Sequence, residues 1–283
     1  MKNALIDIGS NTIRLVVYDG LKEIYNEAHY AELIKEVSDG KITETGIIKL
    51  FKSLSYMKQK SDELNADAIY AFATASLRDI EDKSSLINEI KNLTGIEIEI
   101  MSSEKEAYYD YLGIKSIYDI NEGLAFDLGG GSCQLMSFSD GVVRETISVP
   151  IGSLKIHSLF VKDILPTCIE KENIAKYISG QLSSLKEFKG YDTIHGMGGA
   201  IFALSSLCEK YFNGEPVCME TLEKILKLSE EEITAVVPKR VKTVIPAAVT
   251  MMSILHLSGA KIIVPAKASV RDGIIYEIVH KYI

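Results

Sequence analysis

The sequence predicts an α/β protein of two similar lobes, each a mixed β-sheet with flanking helices, and three observations carry that expectation. A strand, a Gly-rich turn, a second strand and an Asp-Gly turn occur in that order near the N-terminus and again near the middle of the chain. Alternating helical and strand periodicities follow each copy. At 283 residues, and roughly 100 to 200 residues per domain, the chain is long enough for two cores.

The first copy opens with an apolar strand ending in Asp7, followed by a Gly9-Ser10-Asn11 turn, a strand from Ile13 to Tyr18 and Asp19-Gly20. Asp-Gly between two apolar runs reads as a two-residue hairpin, because its central positions need a positive φ that these residues tolerate. The second copy, residues 123 to 149, has a strand ending in Asp127, a Gly129-Gly130-Gly131-Ser132 turn, a strand to Phe138 and then Asp140-Gly141. Asp7 and Asp19 are 12 positions apart, Asp127 and Asp140 are 13.

Ile47, Leu50, Leu54, Met57 and Leu64 mark a helix before a strand from Ala68 to Ala73, and a helix over Ile87 to Leu93 precedes a strand from Ile96 to Ile100. In the second half a helix over 170–188 precedes a short strand from Asp192 to His195, and Ile245 to Leu257 precedes a strand from Lys261 to Val264. Two βββαβα lobes are implied, 1–117 and 118–270, with a final helix over 271–283 packing back on the first.

Lys and Arg number 31 against 39 Asp and Glu, a net charge of −8. No global positive field is available to hold a nucleic-acid backbone, so an anionic ligand needs a local site. Cys133, Cys168, Cys208 and Cys218 form no C-x-x-C pair, which argues against structural zinc and for reduced thiols. The apolar run at the N-terminus is broken by Asp7, too early for a secretory leader. The most apolar stretch, Val244 to Leu257, falls short of the ~20 residues of a membrane helix. The expectation is a soluble, cytoplasmic protein with neither nucleic acid nor membrane as partner.

Turns without Cβ atoms let backbone N–H groups approach a ligand closely, and such turns cradle phosphate. Two of them in register favour the phosphate reading over mere chain reversal. Asp7 and Asp127 stand at strand ends where a hydrated Mg²⁺ would bridge carboxylate and phosphate oxygens. A third Gly element, Gly198-Gly199, joins a strand to the helix Ile201 to Tyr211 and exposes a helix N-terminus, which attracts anions. Its spacing is not that of a dinucleotide fingerprint.

Together these elements resemble the exopolyphosphatase and guanosine pentaphosphate phosphohydrolase (Ppx/GppA) family of the actin-like superfamily. The resemblance rests on IDIGSNTIRL at 6–15, ATASLRD at 73–79, IEIMSSEKEA at 98–107, AFDLGGGSCQL at 125–135, VPIGSL at 149–154, GMGGAI at 196–201 and SVRDGIIYE at 269–277. It implies two actin-like (ribonuclease H-like) lobes around a central cleft and Mg²⁺-dependent hydrolysis of terminal phosphoanhydrides. The substrate would be polyphosphate or a guanosine polyphosphate, and the resemblance admits a homodimer.

Position by position, the resemblance makes Glu106 the general base for the attacking water. Ser10, Asn11, Gly129, Gly130, Gly131 and Ser132 become phosphate loops, joined by Gly198 and Gly199, and Arg14 and Arg78 become cleft arginines. Arg271 lies where the chain returns to the first lobe. Asp7 and Asp127, with Gln134, fall at the metal. Gln134 is a departure, since relatives usually carry glutamate there. Asp272, in place of a customary glutamate, and Ala247, where glycine is common, are milder ones.

Plainer readings stand beside these. Ser103-Glu-Lys-Glu106 reads as a capping box that would use Glu106 structurally. Arg78 could pair with Asp79 or Asp82, and Arg14 could be a surface charge. Lys239-Arg240-Val241-Lys242 reads as a solvated face. Loss of a carboxylate at Gln134 also keeps open a phosphate or nucleotide sensor without turnover. An actin-like kinase or ATPase would seat an adenosine on Gly198-Gly199. As the chain ends where the actin-like pair ends, short polyphosphate chains are the favoured length.

Overall fold

The protein is described here by a computed structural model that covers all residues except 79, 119, 184, 186, 187, 189, 282 and 283. It divides into two compact units, Met1–Ser116 with Val270–Ile283, and Ile117–Ser269.

The first unit runs β1 (Lys2–Ile8), β2 (Ile13–Asp19), β3 (Lys22–His29), a 3₁₀ turn (Leu33–Glu36), a small hairpin of β4 (Val37–Ser38) and β5 (Lys41–Ile42), α1 (Glu44–Glu63), β6 (Ala68–Ala73), α2 (Ala75–Arg78), α3 (Lys83–Thr94), β7 (Ile98–Ile100) and α4 (Ser103–Ile117). Its sheet has the order β3-β2-β1-β6-β7, antiparallel through β1 and parallel beyond it. Thr43 caps α1 by accepting the Gly46 N–H at 3.1 Å, and Asp82 caps α3 through Ser85 N–H at 3.3 Å. From that start α1 places Leu50, Leu54 and Met57 on one face, where they pack on Ile6, Ile8, Leu15 and Val17 of the sheet. This helical spacing is what the sequence displays.

The second unit runs β8 (Gly123–Leu128), β9 (Cys133–Ser139), β10 (Val142–Val149), α5 (Ser153–Phe160), α6 (Cys168–Leu182), β11 (Thr193–Met197), α7 (Gly199–Tyr211), β12 (Val217–Cys218), α8 (Met219–Ile225), α9 (Glu230–Val236), α10 (Val241–Ser258) and β13 (Ile262–Pro265). The chain then closes with α11 (Val270–Lys281), which belongs to the first unit. The second sheet, β10-β9-β8-β11-β13-β12, repeats the order of the first and adds one antiparallel edge strand. Thr167 and Glu170 form a capping box at the start of α6. That helix ends at Leu182, short of the expected 188, and residues 184, 186 and 187 of the expected span lie outside the described ones.

The duplication is closer than the sequence suggests. A constant shift of 120 positions carries Ile13 onto Cys133, Asp19 onto Ser139, Lys22 onto Val142 and His29 onto Val149. Even the irregularities repeat, because Ile24 of β3 and Arg144 of β10 are the extra residues of matching β-bulges. Asp19 pairs with Lys22 and Ser139 with Val142, so Gly20-Leu21 and Asp140-Gly141 are the central turn residues. The turn therefore falls one residue later than the expected Asp19-Gly20, and the mismatch of 12 against 13 disappears.

Helix α10 is longer than the sequence reading gives. By length and composition alone the segment Pro238–Ser258 is apolar enough to cross a membrane, yet most of it is buried inside the second unit. Val244, Ile245, Ala248, Met251 and Ile254 of α10 join Phe126, Leu135 and Leu204 in that core.

Candidate active site

In each unit the first two strands meet at a loop whose carbonyls are tied back. In the second unit Gly129 N–H closes the loop on Ser132 O at 3.0 Å. The start of α5 then takes the loop carbonyls: Ser153 N–H donates to Gly129 O (3.0 Å), Leu154 and Lys155 to Gly130 O (3.0 and 2.9 Å), and Gly152 to Gly131 O (3.3 Å). These bonds satisfy donors that a helix N-terminus otherwise leaves without partners. With the carbonyls so engaged, the amides of Gly130 and Gly131, which have no main-chain acceptor among the described residues, are available to an anion. Only glycine fits at 152, because a Cβ there would overlap the backbone of Gly130, Gly131 and Ser132.

The first unit repeats this construction. Gly9 N–H donates to Thr12 O at 2.9 Å, Ile34 N–H to Ser10 O at 3.0 Å and Glu32 N–H to Asn11 O at 2.9 Å. Glu32 and Ile34 stand 120 positions before Gly152 and Leu154, whose bonds they copy. Glu32 adopts the left-handed conformation, φ 47°. Ser10 is buried, and the Ser10 and Asn11 amides likewise have no main-chain acceptor among the described residues.

Glu106 and Arg78 come together in the first unit. Arg78 Nε donates to Met101 O at 3.0 Å and Nη1 to Ser103 Oγ at 2.8 Å. Its Nη2 donates to Glu106 Oε2. The Glu106 side chain is only 7% exposed. The capping-box reading of Ser103 and Glu106 does not hold: Ser102 Oγ is the cap, accepting Lys105 N–H at 3.2 Å. The suggested pairing of Arg78 with Asp82 is not made either, since Asp82 caps α3; Asp79 lies outside the described residues.

Asp7 faces Arg14 across the β1–β2 ladder, and its Oδ2 accepts from Arg271 Nη1. Arg14 also donates to Asn26 Oδ1. Burial and then the nearby Arg271 charge lower the Arg14 pKa, with Asp7 partly offsetting them. Burial acts in the same sense on Arg271, but Asp7, Tyr18 and Asp272 outweigh it and the net shift is upward. Both guanidinium groups stay charged at neutral pH.

In the second unit Asp127 faces Gln134 across β8–β9. Gln134 is 1% exposed, and its Nε2 donates to Ser132 Oγ at 3.0 Å and Ser148 Oγ at 3.5 Å. Gly198, at φ 92°, lies where a Cβ would meet Asp127 Oδ1 and Leu128 O. The Arg240 guanidinium occupies the space where a Cβ on Gly199 would stand. This much of the basic run at 239–242 is therefore packed on the Gly198-Gly199 turn rather than lying on a solvated face.

A model of the Ppx/GppA phosphatase family matches residues 27–282. The chain belongs to that family. This Ppx/GppA protein is 27% identical over 305 residues to a bifunctional 3-dehydroquinate synthase/phosphatase of Fusobacterium nucleatum, covering 97% of this chain and 46% of that protein. It is 27% identical over 174 residues to exopolyphosphatase 1 of Mycobacterium tuberculosis, covering 59% of this chain and 51% of the other. The chain thus spans about half the length of the curated relatives it matches. Among solved structures, the Aquifex aeolicus Ppx/GppA family member superposes with a TM-score of 0.82 at 25% identity, over 100% of this chain and 98% of that one.

A hydrated Mg²⁺ needs only one or two carboxylates, keeping waters in its other positions. No group of three or more His, Cys, Asp or Glu is gathered for a metal among the described residues. Asp127, opposite a neutral amide, suits such an ion. The Asp7 carboxylate is instead engaged by Arg271. Gln134 turns its amide nitrogen to Ser132 and Ser148, so only its carbonyl oxygen could serve a cation.

Three residues that contact the candidate side chains or loops of their own unit are not singled out by sequence reasoning. Tyr18 donates its hydroxyl to Asp272 Oδ1 at 3.3 Å, and Ser103 receives Arg78. Arg240 packs on Gly199. Only Arg240 leaves a trace in the sequence, as a basic run just before an apolar helix.

Proposed function

We infer that this chain removes terminal orthophosphate from inorganic polyphosphate or guanosine pentaphosphate. The observation that carries the reading is the fixed carboxylate. Glu106 is buried and is held by an arginine that is itself tied to Met101 and Ser103. A carboxylate so positioned can accept the proton of a water attacking the terminal phosphorus. The new P–O bond forms as the bond to the bridging oxygen breaks, and the products are orthophosphate and a chain shorter by one phosphate.

In this reading the amides of Ser10, Asn11, Gly130 and Gly131, with the Ser132 hydroxyl, bind non-bridging oxygens, while Arg14 and Arg271 offset phosphate charge. Mg²⁺, when bound, would neutralise charge on the phosphates, and Asp127 is the carboxylate suited to hold it. Membership of a phosphatase family and the likeness to a protein named exopolyphosphatase support the substrate class.

The test is phosphate release from linear polyphosphate, guanosine pentaphosphate and ATP with Mg²⁺, beside Glu106→Gln. Release from either of the first two, abolished in the variant, is expected. Tight polyphosphate binding without release would establish the sensor reading that the neutral Gln134 favours.

A further inference from the structure

Phosphate hydrolysis uses none of the cysteines, yet the fold of the second unit brings two of them together. Near the end of α7 the Cys208 carbonyl accepts Phe212 N–H at 2.9 Å and Gly214 N–H at 3.1 Å. Asn213 (φ 52°) and Gly214 (φ 73°) are both left-handed, so the chain reverses there and returns as β12 beside α7. Val217 and Leu222 then join Cys208 in the core of the unit, and the half-buried Cys218 caps α8.

One hydroxyl links the two sulfurs. Thr221 Oγ1 donates to Pro216 O at 2.8 Å, accepts Cys218 N–H at 2.9 Å and lies 3.6 Å from Cys218 Sγ. Cys208 meets the same hydroxyl from the α7 side: burial pushes its thiol pKa up, Thr221 opposes that shift, and the charges of Cys218 and Glu215 add to it against Lys224. A disulfide needs Cα atoms within about 7 Å, and two residues served by one threonine side chain are neighbours on that scale. Their surroundings differ. Cys208 is 2% exposed and stays a thiol at neutral pH, closed to an oxidant in solution. Cys218 is open to one.

We propose that Cys208 and Cys218 form a reversible oxidation site for hydrogen peroxide, in which Cys218 reacts first and Cys208 resolves. The Cys218 sulfur attacks one peroxide oxygen, so an S–O bond forms as the O–O bond breaks, and water leaves with the thiol proton. Cys218 has then lost two electrons and is a sulfenic acid. The Cys208 sulfur displaces the hydroxyl, an S–S bond forms as the S–O bond breaks, and a second water carries off the Cys208 proton. The bond closes the loop 208–218 and staples α7 to the segment that adds β12 to the edge of the sheet. The site is independent of the phosphoanhydride reading.

The test exposes the full chain to hydrogen peroxide, blocks the remaining thiols and maps tryptic peptides without reduction. Cleavage after Lys210 puts the two cysteines on separate peptides, so a bond between them appears as one linked species. That species should dominate, vanish with dithiothreitol, and accompany a thermal midpoint about 5 °C above that of the reduced chain. Cys208→Ser should stop at a sulfenic acid on Cys218, which dimedone traps, and Cys218→Ser should leave Cys208 unmodified. Oxidation of the exposed Cys168 with both Cys208 and Cys218 still thiols would overturn the proposal. So would a linked species pairing Cys168 with either of them, or a 208–218 bond that lowers the midpoint. If a serine variant does not fold, the peptide map and midpoint of the parent chain decide.

Discussion

Arg78 makes three separate hydrogen bonds at the junction of β7 and α4, and all three converge on the residues around Glu106. Replacing Glu106 by Gln keeps the shape and removes the base, so kcat should fall about 10² to 10⁴-fold with little change in KM or thermal midpoint. Arg78→Ala instead leaves a buried carboxylate without its guanidinium and should also cost about 2 to 3 kcal/mol in urea unfolding. Gln134→Glu would set a second carboxylate opposite Asp127 on neighbouring strands. Two like charges there favour a divalent cation, so Mg²⁺ should raise the melting temperature of this variant more than that of the parent. An equal Mg²⁺ effect in both would remove Gln134 from the account. The family resemblance in the sequence singles out Glu106, Arg78 and Gln134 as candidates, but it does not settle the role of Glu106. The choice of Ser102 over Ser103 as cap depends on where β7 delivers the chain, which local propensity does not encode.

The backing of each loop by the element that follows β3 or β10 belongs to the scale of elements. Gly152→Ala forces the Gly130–Ser132 backbone to move, which should cost about 1 to 3 kcal/mol and weaken tripolyphosphate binding. In β11, His195 has its pKa lowered by burial, with a hydrogen bond donated by its ring to the Leu124 backbone opposing the shift only in part. The unfolded chain therefore binds this proton more readily than the folded one, and stability falls as the pH drops through the unfolded value of about 6.5. A His195→Leu variant should show a shallower loss of stability between pH 7 and 5. A profile parallel to the parent's would exclude the histidine as the cause. Long periodic elements such as α1 and β6 are legible in the sequence. The short pieces β4, β5, β12, α8 and α9 are not, because a strand of two residues or a helix of two turns has too few positions to show a period and is held by its neighbours.

At the scale of the whole molecule, one backbone plan occurs twice with different chemistry on each copy. The shift of 120 positions preserves strand ends, bulges and the bonds behind both loops, although Ser10-Asn11 and Gly130-Gly131 share no residue type. Sequence shows the repeat only through its glycines and aspartates. Glu32 stands where the second unit has Gly152 and differs from it in residue type and in backbone, left-handed against extended, so the equivalence shows only in the bonds the two make to the loops. The insertion of β12, α8 and α9 before α10 is hidden for a related reason: it adds an edge to a sheet that is already complete.

The central claim is that both loops are anion seats formed by main-chain amides. Titrating tripolyphosphate into the Glu106→Gln protein while following amide resonances tests it directly. The account predicts saturable shifts of Ser10 and Asn11 in the first unit and of Gly130 and Gly131 in the second. Shifts confined to one loop, or to residues outside both, would contradict it.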